Sequence, residues 1–101
     1  MSTATAPHVQ KIIDIAADCG IVLTSEEISA ATIAALVDTH QASGAEWMVC
    51  SPARRRLGDA LQLQSERFAC LAAARRFAKH PGIVAKETAK ADAAKAAILA
   101  L

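Results

Sequence analysis

A chain of 101 residues is near the modal size of a single domain and can bury a hydrophobic core without disulfide or metal staples. Its hydrophobic content is 53% but its aromatic content only 3%. The apolar mass is therefore alanine, leucine, isoleucine and valine, which argues for helix and against sheet. The net charge of +1 says less than its distribution.

Residues 1–50 carry one base, Lys11, against six acids, Asp14, Asp18, Glu26, Glu27, Asp38 and Glu46. Residues 51–80 hold every arginine of the chain (Arg54, Arg55, Arg56, Arg67, Arg75, Arg76) and Lys79, against Asp59 and Glu66. The remainder, residues 81–101, is close to neutral. Such asymmetry points either to a charged partner for the middle segment or to internal pairing of the two halves.

No run reaches the ~18 apolar residues that a membrane helix requires, and MSTATAPHVQK is not a secretory leader. Cys19, Cys50 and Cys70 are odd in number and widely spaced, as in a reduced cytoplasmic thiol set.

Taken in order, residues 1–6 are small and polar, and expected to be flexible. Pro7 suits a first helical position. Val9, Ile12, Ile13 and Ala16 recur at helical spacing, and Gly20 can cap, which predicts a helix over 7–19. Thr24 and Glu27 form a capping-box pattern, with Leu23 and Ile28 at the staple positions. A second helix is expected from Ser25 to about Gln41. After a break at Ala42-Ser43-Gly44, the short apolar piece 45–50 contains Trp47, the chain's single Trp and an expected core anchor. Ser51-Pro52 opens a third helix ending near Leu61. Ser65 caps a fourth over about 66–79, which Pro81-Gly82 ends. A fifth runs from about Ile83 onward. The expectation is an all-α, compact single domain over residues 1–101, a bundle of about five helices.

Gly58, Leu61, Leu63 and Phe68 stand at +0, +3, +5 and +10 in the third helix, the turn and the fourth helix. This spacing resembles the helix-turn-helix of bacterial DNA-binding proteins, with Gln62 where that family favours Gly. The resemblance covers about twenty residues and implies a helix docking from about Gln64 in the major groove of duplex DNA. On the wheel of the fourth helix, Arg75, Arg76 and Lys79 share one side, while Cys70, Ala74, Phe77 and Ala78 share the other. The candidate nucleic-acid contacts are thus Arg54, Arg55, Arg56, Gln64, Arg67, Arg75, Arg76 and Lys79. Arg54 to Arg56 can equally pair with Asp14, Asp18 or Asp38.

A stripe of Val84, Ala91, Ala94, Ile98 and Leu101 is the candidate oligomer interface, most simply of a homodimer. His8, His40, His80 and the cysteines occur at no metal-ligand spacing. No glycine-rich phosphate loop or nucleophile–base pattern appears. No enzyme activity, metal or cofactor is expected. Two readings stand: a nucleic-acid-binding protein, and a helical protein–protein interaction module such as an adaptor, an inhibitor or a structural subunit.

Overall fold

The computed structural model describes residues 5–28, 33, 35 and 52–101. Among them every regular element is helical: α1 (Pro7–Asp18), α2 (Pro52–Arg76) and α3 (Pro81–Leu99), with Ile33 and Ala35 also helical. The all-α class holds, and among the described residues three long helices occur, the last two of them where the third, fourth and fifth were expected. The second helix does not begin at Ser25 as expected: residues 25–27 form a turn and Ile28 is not helical. Apart from Ile33 and Ala35, its further expected course to Gln41, the break at 42–44, the Trp47 anchor, His40, Cys50 and the Ser51 cap lie outside the described residues.

α1 follows its local signals. Pro7 occupies the first turn, where its missing N–H leaves no bond unmade. His8, Ile12, Ile15 and Ala16 form the buried face at i, i+4, i+7 and i+8. Gly20, at φ 75°, closes the helix. Its N–H donates to the Ala17 carbonyl (2.9 Å) and that of Ile21 to the Ala16 carbonyl (3.0 Å). This is the paired 5→2 and 6→1 pattern of a Schellman cap.

The Thr24–Glu27 box is half made. The Glu27 carboxylate accepts from the Thr24 N–H (3.3 Å) and hydroxyl (2.9 Å). The Glu27 N–H donates to the Thr24 carbonyl at 3.1 Å. Leu23 and Ile28, the staple positions, are both buried in the same core cluster.

The main departure from expectation is α2. The third and fourth expected helices are one uninterrupted helix of 25 residues, and the turn near Gln62 does not exist. Leu61, Gln62, Leu63 and Gln64 all favour helix, and neither Gly nor Pro interrupts them. Leu57, Leu61, Gln64, Phe68 and Leu71 then continue a single 4-3-4-3 stripe. Ser65 lies mid-helix, and the helix stops at Arg76, with Phe77–Lys79 forming a turn. Pro81-Gly82 also acts differently: rather than ending a helix, Pro81 begins α3 in the first-turn position.

α2 and α3 form an antiparallel hairpin with the most extensive interface, and α1 packs against both. The orientation of α1 follows from its ends. Asp18 lies beside Arg56 near the start of α2, while His8 feels the charges of Arg67 and Lys95. α1 therefore runs antiparallel to α2 and covers only its first two thirds. The core sits there, built from Ile12, Ile15, Ala16, Leu57, Ala60, Leu61 and Ile98 with Leu23, Ile28 and Ile33.

Candidate functional site

The hairpin reaches beyond α1 as a two-helix arm. None of residues 65–90 is buried. From Gln64 to Arg76 the arm extends about 18 Å at helical rise. Its alanines (Ala69, Ala72, Ala73, Ala74, Ala85, Ala89) keep it helical through propensity instead of burial, and small side chains let helices approach closely. At its tip the His80 N–H donates to the Phe77 carbonyl (2.9 Å), and the N–H groups of Ile83 and Val84 both donate to the His80 carbonyl (3.0 Å). The His80 side chain makes no capping bond; its ring lies tilted against Phe77, centroids 6.3 Å apart.

The arm carries large apolar side chains in contact with water. Phe77 is 39% exposed and Ile83 38%, and Phe68, Leu71 and Val84 are half-buried. An open groove of about 580 Å³ runs along it, lined by Leu71, Ala74, Arg75, Ala78 and Val84. The segment that forms this groove is rich in cations. From Arg67 to Lys86 there are five cations and no acid. Arg75, Arg76, Lys79 and Lys86 are all exposed. Arg75 donates from Nε to the Leu71 carbonyl at 3.5 Å, a bond within its own helix. Among the described residues no ion pair involves Arg75, Arg76, Lys79 or Lys86.

The expected nucleic-acid contacts do not form one surface. Arg54, Arg55 and Arg56 lie at the start of α2, and Arg75, Arg76 and Lys79 at the tip, about 30 Å away along the helix. Arg54 and Arg55 are exposed. Arg56 is committed to the fold, donating from Nε to the main-chain oxygen of Leu101 at 2.9 Å and lying 3.9 Å from Asp18. Arg67 is half-buried, its guanidinium 6.0 Å from the centroid of the neighbouring Phe68 ring. Gln64 is 1% exposed and faces the core, so it cannot reach a base edge. That correction follows directly from the continuity of α2, which puts Gln64 seven residues after Leu57 on the same stripe.

The expected oligomer stripe is likewise used inside the chain. Ala91, Ala94 and Ile98 are buried, and Leu101 packs against the core. Leu101 keeps part of its surface in contact with water, and Val84 lies at the arm groove.

Sequence reasoning missed the polar groups in the core. His8 is 4% exposed, and its Nδ1 and the Gln64 Oε1 have no hydrogen-bond partner. Burial, followed by the charges of Arg67 and Lys95, holds the His8 imidazole below its ordinary pKa. The signal was available: His8 leads the i, i+4, i+7 series of α1. On the other side of the hairpin a second groove is lined by Leu63, Cys70, Lys90 and several alanines. Desolvation, then the adjacent Glu87, raises the Cys70 thiol above its ordinary value, which keeps it protonated and a poor nucleophile. Cys19 and Cys70 form no disulfide. Among the described residues no cluster of three metal-ligating side chains occurs, and no helix is long and apolar enough to cross a membrane.

No protein-family model, curated protein or solved structure matches the chain.

Proposed function

We propose that the protein is a helical interaction module whose hairpin arm is the binding element and whose α1-covered base is the scaffold. One observation carries this reading: among the described residues the buried core of the hairpin ends at Gln64 and Ala91, yet the arm beyond them keeps Leu71, Phe77, Ile83 and Val84 in contact with water. A helix pair with an apolar face requires a further layer to cover it. Exposed apolar groups framed by polar rims mark interaction sites. The continuous α2 supports the rigidity of the arm, since no turn interrupts it between base and tip.

The second reading, nucleic-acid binding, keeps one observation in its favour, the acid-free run from Arg67 to Lys86. Phosphate contacts call for cations and hydrogen-bond donors, however, and the exposed Phe77 and Ile83 at the tip are left without a role by that reading unless bases stack on them.

In-cell photo-crosslinking separates the two. A photoreactive residue replaces Phe77 at the tip or Ala17 on the exposed side of α1. The expected result is a discrete protein adduct from position 77 and none from position 17. Adducts that are nucleic acid would transfer the function to the second reading, and equal labelling at both positions would remove the arm as the binding element.

A further inference from the structure

Resting on the interaction-module reading, we infer that the arm groove receives an acidic amphipathic helix of a protein partner, laid along the same face of α2 that α1 covers at the base.

The face is continuous. Leu57, Leu61, Gln64, Phe68, Leu71 and Arg75 follow one another at spacings of four and three, a single seam along one side of a straight helix. At the base, Leu57 and Leu61 are buried in one cluster with Ile12 and Ile15 of α1. Past Phe68 that cover ends, and the seam passes into the groove formed by Leu71, Ala74, Ala78 and Val84. The fold thus shows what shape fits this seam, namely a helix, and among the described residues the groove beyond the end of α1 is open to another. Leu71, Ala74 and Ala78 offer a trough about 10 Å long. It suits two or three apolar anchors at i, i+3/i+4 and i+7, the usual read-out of a helix in a groove.

Charge selects among helices. Arg75 forms part of the groove wall, and Arg76, Lys79 and Lys86 are exposed in the acid-free run from Arg67 to Lys86 at the outer part of the arm, which Glu66 and Glu87 border. A partner helix with acids flanking its apolar stripe meets complementary charge on binding, whereas a basic helix meets repulsion. The small floor residues Ala74 and Ala78 let a helix approach closely.

The test uses the full chain and synthetic peptides held helical by a hydrocarbon staple. The first carries leucines at i, i+4 and i+7 with glutamates elsewhere. The second has the same composition with the stripe scrambled. The third replaces glutamate with lysine. A duplex oligonucleotide is the fourth ligand. Fluorescence anisotropy at low and high salt measures binding, and amide chemical shifts locate it.

The expected result is that the acidic striped peptide binds best, shifts Leu71, Ala74, Ala78 and Val84, and weakens with salt. Ala78→Glu should reduce binding about tenfold, as blocking a central groove position does. Arg75→Glu with Arg76→Glu should weaken it and flatten the salt dependence. Ala96→Glu, on the exposed side of α3 near the base, should leave it unchanged. Circular dichroism of each variant checks that the helices persist.

Equal binding of the scrambled peptide would overturn the groove and leave charge alone. Duplex binding that Ala78→Glu does not disturb would overturn it in favour of phosphate recognition. If no peptide binds while the adduct at position 77 persists, the partner class is wrong and the interaction reading stands. If both fail, the interaction reading fails as well.

Discussion

Arg56 donates from Nε to the main-chain oxygen of Leu101 at 2.9 Å, joining residues 45 apart in sequence. The same guanidinium lies 3.9 Å from the Asp18 carboxylate, so one side chain ties the start of α2 to the ends of α1 and α3. One of the three consecutive arginines is therefore structural, and the acidic and basic halves of the chain do meet at this point.

The two contacts of Arg56 differ in worth. The bond to Leu101 is part-buried and directional, and such a bond contributes about 1 kcal/mol net. The ion pair is long and Asp18 is largely exposed, so solvent screening leaves it at most ~0.5 kcal/mol. Arg56→Ala should cost about 1–2 kcal/mol in urea unfolding, the lost packing of its stem included. Asp18→Asn should change stability by less than about 0.5 kcal/mol. An equal loss from both substitutions would mean that the ion pair, not the bond to Leu101, holds the corner.

The continuity of α2 makes Gln62 a sensitive position. In a helix-turn-helix, Gln62→Gly would restore the favoured turn residue and be neutral or stabilising. In an unbroken helix it should cost about 1 kcal/mol, and Gln62→Pro about 3 kcal/mol or more. Thermal unfolding followed by circular dichroism distinguishes the two, and a stabilised glycine variant would reinstate the turn.

Proline and glycine signals that act over one turn were legible in the sequence, whereas the Thr24–Glu27 box marks a turn at 25–27 and not the helix start expected at Ser25. Pro7 and Gly20 bound α1 as expected, and Pro52 lies in the first turn of α2. The losses came where one residue type serves opposite ends of a helix. Pro81-Gly82 reads as a stop for the preceding segment, but proline is equally at home in a first turn, and here it begins α3. Ser65 reads as a cap but is tolerated mid-helix once Leu61, Gln64 and Phe68 share a buried stripe. The same stripe moved Gln64 from the candidate surface to the core. The arm was partly legible: the basic run at its tip is in the sequence, whereas its separation from Arg54, Arg55 and Arg56 depends on α2 being unbroken. The stripe in α3 was correctly read as apolar, but periodicity does not say whether its partner belongs to the same chain.

His8 predicts a pH dependence with a definite sign. Burial, Arg67 from α2 and Lys95 from α3 all favour the neutral imidazole in the folded state, so its folded pKa lies below the unfolded value of about 6.5. Between those two values the unfolded chain binds the proton and the folded chain does not. The stability held above about pH 6.5 is therefore lost as pH falls toward the folded pKa, and the loss levels off below it. Urea midpoints should drop between pH 7.5 and pH 5, the window around the ordinary histidine pKa. His8→Leu should remove the part of that drop due to the imidazole. A slope unchanged in the variant would assign it to other groups.

Ile98 and Val84 both belong to the α3 stripe expected to join two copies, but they differ in burial. Ile98 is fully buried within the chain, so Ile98→Ala should cost about 2–5 kcal/mol by removing core volume. Val84, half-buried at the groove, should lose less than about 1.5 kcal/mol on truncation to Ala, since much of its surface is already wet. An intramolecular stripe also makes the unfolding midpoint independent of protein concentration, whereas a dimer held by Ile98 would gain stability with concentration by mass action. Measuring both variants and the parent chain over a hundredfold range of concentration decides the matter. A midpoint that rises with concentration in the parent and not in Ile98→Ala would return this stripe to a subunit interface.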